Sequence, residues 1–303
     1  VPRLSILVPH LHDDSGLEAT LLSILENREI DSEVIITHDG SYGDPFGLGQ
    51  DEVVLIETDA GASFAAQLNL AAAAACSPVI QVLLPGSQVV GEWYVEGLEI
   101  LRNKRVAAVC QSVGDSASDS VYIGLSSESL PHRRVTSSHR NVAGPLLCGG
   151  FFRKKTLKQT GGWFDSHLRE VSEIEFALLV SELDLKIEVA HEVTVFAPKK
   201  IAAGCEAGYE IGRTCGQLAC AYSEIEGSVL EVDSVAKRLG HLASGLMSPK
   251  TVAERLGWVM GIRDRSLVKA IQSRVQTVLE NLETERSTIA IPLAGHSDRR
   301  RAA

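Results

Sequence analysis

The chain has 303 residues, is 45% apolar and 22% charged, and carries 39 acidic against 29 basic residues, for a formal net charge of −10. That length and apolar content suffice for a sizeable core without disulfides or metals, and the acidic excess excludes a general polyanion binder, whose affinity comes from neutralising phosphates. The longest apolar run, Leu68 to Ala75, falls far short of the roughly 20 residues of a membrane span. No transmembrane segment is expected, and since the opening residues turn polar at His10, too early for a secretory signal, a cytoplasmic location is the default. The six cysteines form no C-x-x-C pair and are expected to be reduced core residues.

Taken in chain order, Leu4 to Val8 is an apolar strand, followed by Leu17, Thr20, Leu21, Ile24 and Leu25 at helical spacing. Further strands are expected at Glu33–Thr37, Val53–Ile56 and Val79–Leu84, with an alanine-rich helix Ser63–Ala75 before the last of these. A helix Glu92–Asn103 and a strand Val106–Gln111 follow. Apolar strands alternating with helices imply a mostly parallel sheet covered on both faces. Ligands of such sheets bind beyond the carboxyl ends of the strands. The residues there are His10, His12, Asp13 and Asp14, then His38 to Ser41, then Pro85 to Gln88. No G-x-G-x-x-G opens the first helix and no G-x-x-x-x-G-K-[ST] occurs, which disfavours dinucleotide-binding and P-loop proteins.

Beyond Pro198, segments 206–226, 228–246 and 252–282 read as helices, with a break expected at Gly227, Ser248-Pro249 and Gly261. The stripe Leu267, Ile271, Val275, Val278, Leu282 is amphipathic and is expected to pack on the first domain or on a partner subunit. This divides the chain into residues 1–200 and a helical extension, 201–303.

Leu4 to Pro9, Val34 to Ser41 with Asp44, Ala65 to Asn69, Gly149 to Lys154 with Thr160 to Asp165, and Ser172 to Phe176, in this order, resemble the motifs of family 2 nucleotide-sugar glycosyltransferases. Leu4 to Pro9 resembles the family's opening strand, and Val34 to Ser41 with Asp44 its strand ending in Asp-Asp-Gly-Ser. Ala65 to Asn69 resembles its Ala-Arg-Asn helix. Gly149 to Lys154, and Thr160 to Asp165 after it, resemble its arginine segment and Gly-Gly-Phe-Asp. Ser172 to Phe176 stands where an Glu-Asp helix start is usual. The resemblance, over residues 3 to 198, implies a glycosyltransferase A-type fold. It also implies inverting transfer of a sugar from a nucleoside-diphosphate donor, of uridine type, to an acceptor that is a glycan, lipid or protein.

It implies site residues as well. Asp39 would accept the ring N–H of uracil, beside Pro9, His10 and Ser41; its alternative is a turn residue in Asp-Gly-Ser. Asn69 would reach toward the nucleotide, or bridge helix to loop. Glu173 would be the base that takes the acceptor proton, with Glu175 and Asp165 as alternates; an acid in a helix's first turn is also favoured by the helix dipole. Trp163 would be a sugar-stacking wall or core.

One departure stands out. The family's Asp-x-Asp, which holds Mg or Mn against the diphosphate, is replaced by Pro85-Gly86-Ser87, so the metal site is expected to be absent. Other positive charge is then needed for the leaving diphosphate. The candidates are the basic stretch with Arg133, Arg134 and Arg140, otherwise a solvated surface loop, and the histidines near the first strand. The competing expectation is a non-catalytic relative that binds a nucleotide-sugar, a glycan or a protein, and homo-oligomers through the C-terminal helices are a further expectation.

Overall fold

The computed structural model describes residues 2–28, 31–50, 52–115, 120–126, 134–136, 142–159, 172–182, 185–198, 205–224 and 249–289. The first half is β1 (Leu4–Pro9), α1 (Asp14–Asn27), β2 (Ser32–His38), β3 (Val54–Glu57), α2 (Phe64–Ala74), β4 (Val79–Val82), β5 (Gln88–Val89) and α3 (Val95–Ile100). It continues through β6 (Val106–Asp115), β7 (Val121–Ser126), β8 (Arg134–Thr136), β9 (Val142–Gly144), β10 (Phe151–Arg153), α4 (Lys154–Gln159), α5 (Ser172–Glu182) and β11 (Lys186–Ala197). The helices α6 (Cys205–Ser223), α7 (Pro249–Arg263) and α8 (Val268–Ile289) follow.

The main sheet runs β3-β2-β1-β4-β10-β6-β11-β5, with β7 joining β6 and carrying β8 and β9. Strands β3, β2, β1, β4, β6 and β11 point one way, while β10 and β5 run against their neighbours. The mostly parallel, doubly covered α/β sheet expected from the sequence is therefore present. Alternation along β1 shows why: Leu4, Ile6 and Val8 share a cluster with Leu17, Leu21 and Ile24 of α1, whereas Leu7 faces Ala65, Leu68, Ala71 and Ala72 of α2. Successive side chains of a strand point to opposite faces, so a strand buried on both sides reads as one apolar run. Both helices begin on side-chain caps, Asp13 accepting from the Gly16 amide and Ser63 from the Ala66 amide.

The C-terminal helices belong to the same buried cluster as α1, through Cys215, Leu218, Trp258, Ile271, Val275 and Val278. Helices α6 and α7 meet backbone to backbone. A Cβ on Gly212 would lie 1.8 Å from the Glu254 carbonyl oxygen, and one on Gly261 1.9 Å from that of Arg213. No side chain fits there, so Gly261 stays inside α7 instead of ending it. The break expected at Gly261 falls at residues 264–267, where Asp264 leaves the helix to bind Arg213 at 2.8 Å and the Ser266 amide at 3.0 Å.

Other expectations need correction. Helix α3 is shorter than 92–103, β4 ends at Val82 and β6 runs on to Asp115. Cys76 is exposed, beyond the end of α2, although Cys110, Cys148 and Cys215 are buried and reduced as expected. The helix expected over 228–246 lies outside the described residues.

Candidate functional site

The carboxyl ends of β1 and β2 lie side by side, Pro9 opposite Thr37 in register and the His10 amide bonded to the Thr37 carbonyl at 2.8 Å. This brings His10 and Asp39 to one edge of the sheet. Their side chains join in a chain of polar contacts. His10, 2% exposed, sets Nε2 2.5 Å from Asp14 Oδ1 and Nδ1 3.4 Å from Ser41 Oγ. The Ser41 hydroxyl donates to Asp39 Oδ1 at 2.6 Å, and Asp39 Oδ2 is 3.5 Å from His12 Nε2. Asp39 is thus held by its neighbours with its side chain 11% exposed. The Ser41 hydroxyl, then the Ser41 amide and the charge of His12, hold its carboxyl below the usual carboxylate range against the opposing pull of desolvation. His12 itself sits at φ 58°, a left-handed conformation that His tolerates better than most residues.

Tyr42 closes the cluster from below. Its ring lies 5.4 Å from that of His10 and 6.3 Å from that of His38. Burial, with Asp44, Glu18 and Asp14 adding to it, raises its phenol above the ordinary value, and its hydroxyl has no hydrogen-bond partner among the described residues. Asp44, part of the resemblance, instead caps a short turn by accepting from the Leu48 and Gly49 amides at 2.8 and 3.0 Å.

Next along the edge, the β4–β5 turn is closed. Gly86 has φ 84°, and a Cβ there would stand 2.9 Å from Pro198 Cβ. Its amide donates to the Gly16 carbonyl of α1 at 2.8 Å. Pro85 and Ser87 are buried, and the Ser87 hydroxyl is taken up by the Leu84 amide and by Cys148 Sγ, both at 3.2 Å. A divalent cation needs oxygen ligands, carboxylates above all. The residues of this turn do not fit one: none is acidic, and a larger residue at position 86 meets Pro198. Among the described residues no group of three or more His, Cys, Asp or Glu is arranged to hold a metal ion.

Glu173 is tied to the segment between β9 and β10. Its Oε2 accepts the Leu147 amide at 3.2 Å; Leu147 precedes Cys148, which touches Ser87, and the Gly149 amide bonds the Val82 carbonyl at 2.8 Å. A half-buried carboxylate at the start of α5 is thereby fixed to the segment after β9 whose Cys148 touches the β4–β5 turn. Glu175 faces elsewhere: it is 1% exposed, and its Oε1 lies 3.0 Å from Arg274 Nη1 of α8.

The remaining expected site residues are less central or lie outside the described residues. Asn69 is half-buried in the second turn of α2. Arg134 opens β8. Asp165, with Gly161, Gly162 and Trp163, and Arg133 and Arg140 lie outside the described residues. Arg153, in the segment resembling the family's arginine motif, binds the Val106, Leu101 and Asn103 carbonyls at 3.1, 2.5 and 3.1 Å, which places it at the opposite end of β6. His191, expected at a strand start, is within β11 at its register shift. Sequence reasoning missed Tyr42, Leu147 and Cys148 because nothing in their local pattern marks them; they matter through contacts made across the sheet edge.

The chain matches no protein-family model and no curated protein. Solved structures do match. Staphylococcus aureus TarS 1-349 superposes with a TM-score of 0.58 at 14% identity, covering 94% of this chain and 92% of that one. Its complex with UDP-GlcNAc gives 0.58 at 12% identity over the same shares. Against the longer TarS chain the TM-score is 0.57 at 14% identity, and the match spans 55% of that chain. The likeness is one of fold, and the fold is that of the glycosyltransferase A type. No helix among the described residues is long and apolar enough to cross a membrane.

Proposed function

We propose that the chain is an inverting glycosyltransferase that takes a sugar from a UDP-type donor without a metal held by its β4–β5 turn. The observation that supports this reading is that the Asp39 carboxylate is held among polar side chains at the carboxyl ends of β1 and β2, while Glu173 is held by the Leu147 amide, next in the chain to the Cys148 that touches the β4–β5 turn. The fold's likeness to TarS, whose structure with UDP-GlcNAc is among the matches, supports the donor class. Asp39, kept anionic by Ser41 and His12, accepts the N–H of a uracil ring. Pro9 ends the strand beneath that base, and His10 sits buried beside it.

The acceptor hydroxyl attacks the anomeric carbon from the face opposite the diphosphate. Its proton passes to the Glu173 carboxylate, the bond from carbon to the diphosphate oxygen breaks, and UDP leaves with the electron pair. The negative charge that develops on the leaving group needs fixed donors or cations. Arg133, Arg134 and Arg140, with His10 and His12, are the groups assigned to it. Asn69 has a lesser place, steadying the loop above α2.

The closed turn favours a second reading, a donor-binding protein without turnover. Calorimetry with UDP and a panel of UDP-sugars, with manganese and after EDTA, separates the two together with an assay for released UDP. Binding that survives EDTA, with UDP released from at least one donor, is the expected result. Binding without release selects the second reading, and the absence of any nucleotide binding overturns both.

A further inference from the structure

Glu173 and Glu175 are two positions apart in the first turn of α5. At 3.6 residues per turn this sets them about 200° apart around the helix axis. The structure uses both directions. Glu173 points to the Leu147 amide at 3.2 Å, and Glu175 points to Arg274 on α8, with 3.0 Å between Oε1 and Nη1. The second contact is deep: Glu175 is 1% and Arg274 16% exposed. Removing one partner of a buried ion pair is costly, because it takes away part of what compensates the other's charge.

The other described side chains of α5 between Ile174 and Val180 are apolar and buried. Ala177 and Leu179 are fully buried, and the Phe176 ring meets that of Phe152 edge to face at 5.2 Å. To these apolar contacts the buried ion pair adds a charged, directional one. Arg274 is carried by a helix whose neighbours Ile271, Val275 and Val278 are themselves buried at 1–2% exposure, so its guanidinium is delivered from a fixed base.

We propose that Arg274 is a positioning residue for Glu173: by gripping Glu175 from behind, the C-terminal extension sets the rotation of α5 and hence the place of the catalytic carboxylate. This rests on Glu173 being the base. The C-terminal helices are then part of the catalytic machinery, although no residue of theirs need touch the donor. A displacement of the base by about 1 Å costs on the order of 100-fold in rate, so a small rotation of α5 is enough to be felt.

The test compares the wild type with Arg274→Met, Arg274→Lys and Glu175→Gln/Arg274→Met. Three quantities are read for each: kcat for UDP release, donor Kd by calorimetry, and hydrogen exchange at the Leu147 amide. Arg274→Met should lower kcat about 10- to 100-fold with donor Kd within about twofold, and speed exchange at Leu147 as Glu173 leaves it. Arg274→Lys, which keeps the charge, should recover part of kcat. The double variant removes both buried charges and should regain the wild-type Tm while kcat stays low and exchange stays fast. If its kcat returns together with its Tm, or if Arg274→Met keeps full kcat, the positioning role is overturned and the pair is a matter of stability alone. A wild-type protein that binds UDP but releases none from any UDP-sugar overturns the base assignment, and this proposal with it.

Discussion

The carboxyl edges of β1–β2 and of β4 are neighbours in one sheet, yet they are built in opposite ways. At β1–β2, polar side chains are gathered and aimed: Asp14, His10, Ser41, Asp39 and His12 follow one another in contact. At β4 the chain turns through Pro85-Gly86-Ser87 with its one hydroxyl internally bonded and its glycine against Pro198. One edge gathers charged and polar side chains, and the other is packed and carries no charged residue in its turn. The difference shows that neighbouring strand ends of one sheet can be finished independently, one with a polar cluster and the other with a packed turn. A chain with 39 acidic residues has kept an acid at β2 and placed none at β4.

The largest effect is expected where the two edges must cooperate. Glu173→Gln keeps the shape of the side chain and an oxygen that can accept from Leu147, but cannot take a proton. Steady-state kinetics should show kcat lowered by about 10²- to 10⁴-fold, with donor affinity measured by calorimetry unchanged. Retained turnover would move the base to another carboxylate. Asp39→Ala tests the recognising edge alone. It should weaken UDP binding by about 10- to 100-fold, the worth of one hydrogen bond to a charged group, and reduce the preference for UDP over CDP; unaltered affinity would reject the role given to Asp39.

The closed edge is tested by Gly86→Asp, which puts a carboxylate at the middle position of the triplet that stands in place of Asp-x-Asp. The left-handed φ of 84° and the 2.9 Å approach to Pro198 oppose it, at a cost of about 1–3 kcal/mol. Thermal melting should fall accordingly, and manganese should raise neither donor affinity nor Tm. A gain of either would show that the turn differs from a metal site by its residues alone and not by its packing.

Much of this contrast was legible in the sequence, for reasons that are local. Leu4 to Pro9 reads as a buried strand because every residue but Ser5 is apolar, and Ser63 marks the start of α2 because its side chain caps it. Pro85-Gly86-Ser87 announces a turn by composition. The illegible parts depend on distance along the chain. Strand β10, three residues long, carries too little periodicity to be recognised, yet it lies between β4 and β6 and brings Cys148 to Ser87. Gly212 and Gly261 look like helix weaknesses until the backbone they approach is known. Arg274, which faces Glu175, lies on α8, and no local pattern pairs them.

The smallest effect expected is also the most specific to the recognising edge. Asp39 is held below the ordinary carboxylate range chiefly by the Ser41 hydroxyl, and to a lesser degree by His12. A depressed carboxyl is anionic throughout the neutral and mildly acidic range, and its contribution is lost only as pH falls through its lowered value. Uridine-nucleotide affinity should therefore show no loss attributable to Asp39 between pH 7 and about 5. Ser41→Ala removes the largest lowering influence and should move the acid limb of binding upward toward the ordinary carboxylate value. His12→Ala should move it in the same direction by less, because the charge of His12 ranks below both Ser41 contacts. An acid limb that responds to His12 and not to Ser41 would mean that Asp39 is organised by the β1 loop alone. The hydroxyl linking His10 to Asp39 would then have no part in recognition.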